Sequence, residues 1–258
     1  MSNNNTKEVL FYGHIDGHAV QIDREEQLLS LHFNNGLIES QIDTTDPSVL
    51  PLTGNRQMLS CLMFSHAPQN VMQVGCGGGS IARWFNNHLP DTQGIALEQS
   101  ATIINLALRY FQFPSAQDGW QIVQAEAQHY LQNHEELYDL IIVDIEVNQQ
   151  TPDWVSSEAF LLNCQRLLTA NGAININLIA DSPELFAQQL WPIRQVFAGL
   201  TYCHASNANN IFVTAFKTKP NTSDLQTRAE AAEKQFGIEF SLFYRELLRD
   251  NPANSGVF

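Results

Sequence analysis

Basic residues are scarce in this chain: 13 Lys and Arg stand against 27 Asp and Glu over 258 residues, a formal net charge of −14. Recognition of a phosphate backbone needs clusters of Lys and Arg, and none occurs, so no nucleic-acid partner is expected. The four cysteines, Cys61, Cys76, Cys164 and Cys203, form no C-x-x-C pair. They read as free thiols of a reducing compartment, and together with the eight histidines they support no metal site. No window approaches the about 18 apolar residues of a membrane span, and the polar start MSNNNTKEVLFY does not read as a signal peptide. The expectation is a cytoplasmic protein with no membrane association. Its length suits one medium core with a small appendage, and there are no internal repeats.

What is present is a glycine cluster. Residues 71–80, VMQVGCGGGS, pass from a short apolar run into Gly75, Gly77, Gly78 and Gly79, and the amphipathic segment IARWFNNHL follows. This predicts a strand, a tight ligand loop and a helix. Glycine is needed there because a Cβ would block a ligand lying against the backbone or forbid a positive φ. The spacing is G-x-G-x-G, and a dinucleotide fingerprint would want glycine where Ser80 stands, so an NAD-type reading is a distant alternative.

The next three strand-like runs each end in an acid: GIALE at Glu98, WQIVQAE at Glu126, and YDLIIVD at Asp144. In an open parallel sheet the ligand crevice lies beyond the carboxyl ends of the strands, so these carboxylates should converge with the glycine loop. Glu98 is placed to take the hydroxyls of a ribose, Glu126 to accept from an adenine amino group, and Asp144 to hold a cationic tail or incoming amine. Three carboxylates would repel a pyrophosphate and suit a cation, which favours S-adenosylmethionine or its decarboxylated form. Gln99 and Ala127, which follow two of the acids, join the expected cofactor-binding set. His129 could face the ligand, although a capping or surface role suits it better.

Residues 38–179 resemble the spermidine synthase-like group, the polyamine aminopropyltransferases, built on the class I methyltransferase fold. The segments carrying the resemblance include IESQIDTTDPSVL, NRQML, VMQVGCGGGSIARWF, YDLIIVDIE and SSEAFLLNCQRLLTANGAININL. It implies an adenosyl-sulfonium ligand, with Glu98 as the ribose-binding acid and Glu126 where an adenine-contacting Asp is usual. Four departures accompany it. The family loop GGGDGG aligns an Asp with Gly78; its D-x-x-D here reads Asp144, Ile145, Glu146, Val147; and a Gln near the start of its pattern corresponds to Glu39. A Tyr-His-Glu element is not evident around residues 55–62. Asp144 is the expected orienter of the nucleophile, and Glu146 is the second candidate, for the base.

The organisation expected is α/β: a Rossmann-like, doubly wound class I methyltransferase sheet with an antiparallel last strand, plus a small N-terminal β-hairpin domain. Residues 1–51 would form the hairpins, with turns at Asp16-Gly17 and Asn34-Asn35-Gly36. Residues 52–258 would form the main domain with C-terminal helices. A helix should begin at Ser156-Ser157-Glu158 and stop at Asn171-Gly172, followed by the strand AININLI. LTYCHA and IFVTAF should pair through a turn at residues 207–210. The stripe Phe236, Phe240, Phe243, Tyr244 reads as packing surface. The resemblance places the hairpins over the crevice and in a homodimer contact. The expected activity is alkyl transfer from the sulfonium to a small, cationic amine acceptor; a noncatalytic relative that binds the same ligand as a sensor is the alternative.

Overall fold

Period-two alternation builds the first unit. The computed structural model of the protein describes residues 7–15, 17–33, 36–64, 67–205 and 209–252. In it, β1 (Glu8–Ile15), β2 (His18–Glu25), β3 (Leu28–Phe33) and β4 (Ile38–Asp43) form a four-stranded antiparallel meander. Val20, Ile22, Leu31 and Ile42 point inward and are fully buried, as one face of a pleated sheet requires. Gly17 and Gly36 hold the left-handed turns expected of them, at φ +84° and +75°; Asp16, Asn34 and Asn35 lie outside the described residues.

The second unit is a seven-stranded sheet. β5 (Asn70–Val74), β6 (Gln93–Glu98), β7 (Trp120–Gln124), β8 (Tyr138–Val143), β9 (Leu168–Ile179), β10 (Gly199–His204) and β11 (Asn210–Phe216) take the order β10-β11-β9-β8-β5-β6-β7. Strands β5 to β9 are parallel, and β11 runs antiparallel between β9 and β10. The run Leu140 to Val143 is buried at every position, because a central parallel strand is covered on both faces. Residues of opposite pleat feed two cores. One joins the N-terminal sheet, α2 (Ser80–His88), α3 (Ala101–Tyr110), α7 (Leu225–Phe236) and α8 (Phe240–Asp250); the other joins α4 (Ala127–Asn133), α5 (Glu158–Leu167) and α6 (Pro183–Val196). A short helix, α1 (Thr53–Met58), links the two sheets.

The doubly wound sheet and its antiparallel strand are as expected. Ser157 caps α5, its Oγ accepting from the backbone N–H of Phe160. Phe236, Phe240 and Phe243 are buried in the core and Tyr244 packs against it. The predicted helix stop at Asn171-Gly172 is corrected: α5 ends at Leu167, the chain enters β9 directly, and both residues lie within that strand. They occupy an irregularity, since Leu168 faces Tyr138 while Ala173 faces Leu140. Glycine suits the position, because a Cβ at Gly172 would press against the Tyr138 carbonyl oxygen at 3.0 Å. Residues 207 and 208 of the predicted β10–β11 turn lie outside the described residues. Among those described, no helix is long and apolar enough to cross a membrane.

Candidate active site

The carboxyl ends of β5, β6, β7 and β8 open on one cavity of about 570 Å³, walled on the other side by the N-terminal sheet. That volume lies within the range of small-molecule sites. Of the residues singled out in the sequence, Gly75, Gly77, Glu98, Gln99, Glu126 and Ala127 line it, as do Asp144 and Glu146. Gly78, Gly79 and His129 do not.

The glycines divide by task. Gly75 has φ +84°, and a Cβ there would lie 2.2 Å from the Asp144 carbonyl oxygen, so β5 and β8 can turn together only around a glycine. Gly77, at φ +48°, faces the Ser40 hydroxyl. Gly78 and Gly79 are turned into the protein. The N–H of Gly78 donates to Ser40 Oγ at 2.8 Å, and a Cβ on it would meet Ser40 and the Phe111 ring at 2.8 and 3.0 Å. Gly79, the N-cap of α2, is packed against Phe113.

At the β6 side, Glu98 accepts from the backbone N–H of Ser100 at 2.9 Å. Burial pushes its carboxyl up, against the backbone N–H groups of Ser100, Cys76 and Gln99. Glu126 caps α4, accepting from the N–H groups of Gln128 and His129 at 3.0 and 2.8 Å. An ionised carboxylate has lone pairs beyond these two bonds, so the cap leaves acceptor capacity toward the cavity. Cys76 lines the loop, its thiol pushed up by burial and by the charge of Glu98.

At the β8 side three carboxylates meet. Asp144 Oδ1 accepts from Asn177 Nδ2 at 2.9 Å; burial pushes the carboxyl up and that bond opposes it. Glu146 is pushed up by burial and by Asp144, against a backbone hydrogen bond from Gln149. Glu39, on β4, is pushed up to about 7 by burial and by the charges of Glu146 and Asp144. No Lys or Arg is among the described residues lining the cavity. The chemistry of this wall is a concentrated negative potential in low dielectric, suited to an organic cation.

The chain beyond Glu146 forms a tight two-residue hairpin. Val147 and Gln150 exchange backbone hydrogen bonds, with Asn148 and Gln149 between them at φ +53° and +62°. Val147, at the family's second acidic position, lines the cavity and is half exposed. Sequence reasoning missed Asn177, the partner of Asp144, and the lining residues Ser40, Asn55 and Gln73. Gln73 donates to the Gly75 carbonyl at 2.8 Å, and a polar residue within the apolar run of β5 was the available signal. Among the described residues no group of side chains could hold a metal ion.

Comparison with known proteins agrees with this geometry. Residues 72–176 match the methyltransferase domain family. The chain is 30% identical over 241 residues to the polyamine aminopropyltransferase of Chromobacterium violaceum, covering 92% of both chains. It is 29% identical over 244 residues to that of Neisseria meningitidis serogroup A, covering 93% of this chain and 92% of the other. Its fold superposes on the crystal structure of a probable spermidine synthase from Corynebacterium glutamicum with a TM-score of 0.75 at 19% identity, covering 87% of this chain and 86% of that one. Near-complete coverage of relatives at this identity, together with a cavity rimmed by the glycine loop and strand-end acids, establishes that the chain belongs to the polyamine aminopropyltransferase family.

Proposed function

We propose that the protein transfers the aminopropyl group of decarboxylated S-adenosylmethionine to a small amine. The observation that carries this reading is the grouping of Glu39, Asp144 and Glu146 on one wall of a cavity whose described lining holds no Lys or Arg. The decarboxylated ligand carries a sulfonium and an ammonium with no carboxylate, so it gains from this wall at every charge. Intact S-adenosylmethionine would bring a carboxylate against it.

The residues take roles by position. Glu98 binds the ribose hydroxyls and Glu126 the adenine edge, with Gly75, Gly77, Gln99 and Ala127 shaping the adenosine end; Gly78 and Gly79 act by letting the loop close. Asp144 holds the acceptor amine in line with the carbon bonded to sulfur, and Glu146 adds charge. An ammonium cannot attack, so a proton must leave the nitrogen first. Glu39, held at about 7, is suited to take it near neutral pH and supplies the base that Val147 does not. The nitrogen lone pair then forms the C–N bond, the C–S bond breaks with its electrons going to sulfur, and a neutral thioether leaves. The sulfonium already carries a good leaving group, so alignment provides much of the acceleration.

The test is calorimetry with S-adenosylmethionine and its decarboxylated form, followed by product analysis with putrescine. Release of methylthioadenosine in step with a new secondary amine is the expected result. Methyl transfer from the intact sulfonium, or binding of the decarboxylated form without product, would overturn it. Asp144→Asn should keep sulfonium binding detectable and lower turnover by at least about 100-fold.

A further inference from the structure

Asp144 and Asn177 are joined across the sheet, and the joint continues. Asn177, near the end of β9, donates through Nδ2 to Asp144 Oδ1 at 2.9 Å, and its own Oδ1 accepts from Asn210 Nδ2 at 3.0 Å. Asn210 is the first residue of β11. An ionised carboxylate only accepts, so Asn177 must turn its amide nitrogen toward Asp144; the oxygen left over must then meet a donor, which Asn210 provides. The carboxylate therefore sets the sense of both amides, and each amide has one orientation. Among the described residues Asp144 Oδ2 has no hydrogen-bond partner, while the residue lines the cavity.

We infer that Asn177 and Asn210 are positioning residues, a two-amide relay that pins one oxygen of Asp144 to the antiparallel end of the sheet and presents the other to the nitrogen of an amine in the cavity. The inference rests on the proposed aminopropyl transfer for the identity of that amine. The relay also matters for charge. Asp144 shares its surroundings with Glu146 on its own segment, Glu39 on β4 and Glu98 on β6, and His18 of β2 lines the same cavity. Against these carboxylates and its burial, the hydrogen bond from Asn177 is what favours the ionised form.

The experiment is a carbon-13 carboxyl titration of the full chain without ligand, with Asp144 assigned by its absence in Asp144→Asn. In Asn177→Leu the midpoint of Asp144 should move up by about one pH unit, the equivalent of one hydrogen bond to a charged group. Asn177→Asp should move it further, and Asn210→Ser in the same direction by less. The acid limb of kcat/KM should move with the midpoint, since activity falls as pH drops through it. A structural role alone lowers the melting temperature and leaves the midpoint in place; an unmoved midpoint in folded Asn177→Leu overturns the relay, and Asn210→Ser decides if that variant does not fold. The titration needs no substrate. Moved midpoints without aminopropyl transfer by the parent chain would overturn the functional reading and not the relay.

Discussion

At the scale of single residues, Gly78 shows how a departure from a family pattern is tied to its surroundings. Where the family carries an Asp, this chain places Ser40 and the Phe111 ring within 3.0 Å of any Cβ. Gly78→Asp should therefore cost on the order of 2 kcal/mol through overpacking, and bring no gain in turnover. A lowered urea midpoint at unchanged slope would show this, and a variant as stable as the parent would refute it. None of this was legible in the sequence, because Ser40 and Phe111 lie 38 residues before and 33 after the loop. The acid at the end of each strand was legible, since polarity at the end of an apolar run marks where a strand leaves the core. That Glu126 spends two hydrogen bonds on capping α4 was not, although an acid just before a helix is a familiar N-cap.

At the scale of elements, the hairpin that follows Glu146 holds Gln149 in a conformation that it does not favour. Asn tolerates left-handed backbone, and Gln149 at φ +62° does so at some cost. Gln149→Gly keeps the N–H that bonds Glu146 and removes the strain. It should raise stability by about 0.5 to 1 kcal/mol in chemical denaturation, and a loss would show that side-chain contacts of Gln149 outweigh its strain. The main elements were readable in advance because their periods differ: alternation for β2 and β3, unbroken apolar runs for β8, amphipathic repeats for α2. The end of α5 was misread for a physical reason. Asn-Gly signals a helix stop, a turn or a strand irregularity with equal force, and the choice in β9 is made by the Tyr138 carbonyl on the neighbouring strand.

At the scale of the whole molecule, the acidic wall opposes folding until a cation occupies it. The Glu39 carboxyl, ordinarily near 4.5, stands at about 7 in the folded chain. The folded state thus holds this proton more tightly than the unfolded state. The stability tied to it is fully present below about 4.5 and is lost as pH rises through 7. Glu39→Gln should match the parent chain near pH 4 and exceed it at pH 8 by about 2 kcal/mol, while weakening amine binding. Thermal unfolding at the two pH values, with and without a diamine, checks both parts; equal stability at pH 8 would show that the carboxylate is already compensated.

The place of β11 bears on the order in which the protein becomes competent. The glycine loop, Glu98, Glu126 and Asp144 all leave the ribosome before residue 145, and the segments of all five parallel strands have been made once β9 has emerged. Asn210 comes 66 residues after Asp144, on a strand that must insert beside β9 in the opposite sense. Synthesis runs from the N-terminus, and a domain folds as a unit once its parts are present. A nascent chain can thus hold every carboxylate of the cavity while Asp144 still lacks the second amide of its brace, and the capacity to align an amine arrives only with the hairpin that closes the sheet.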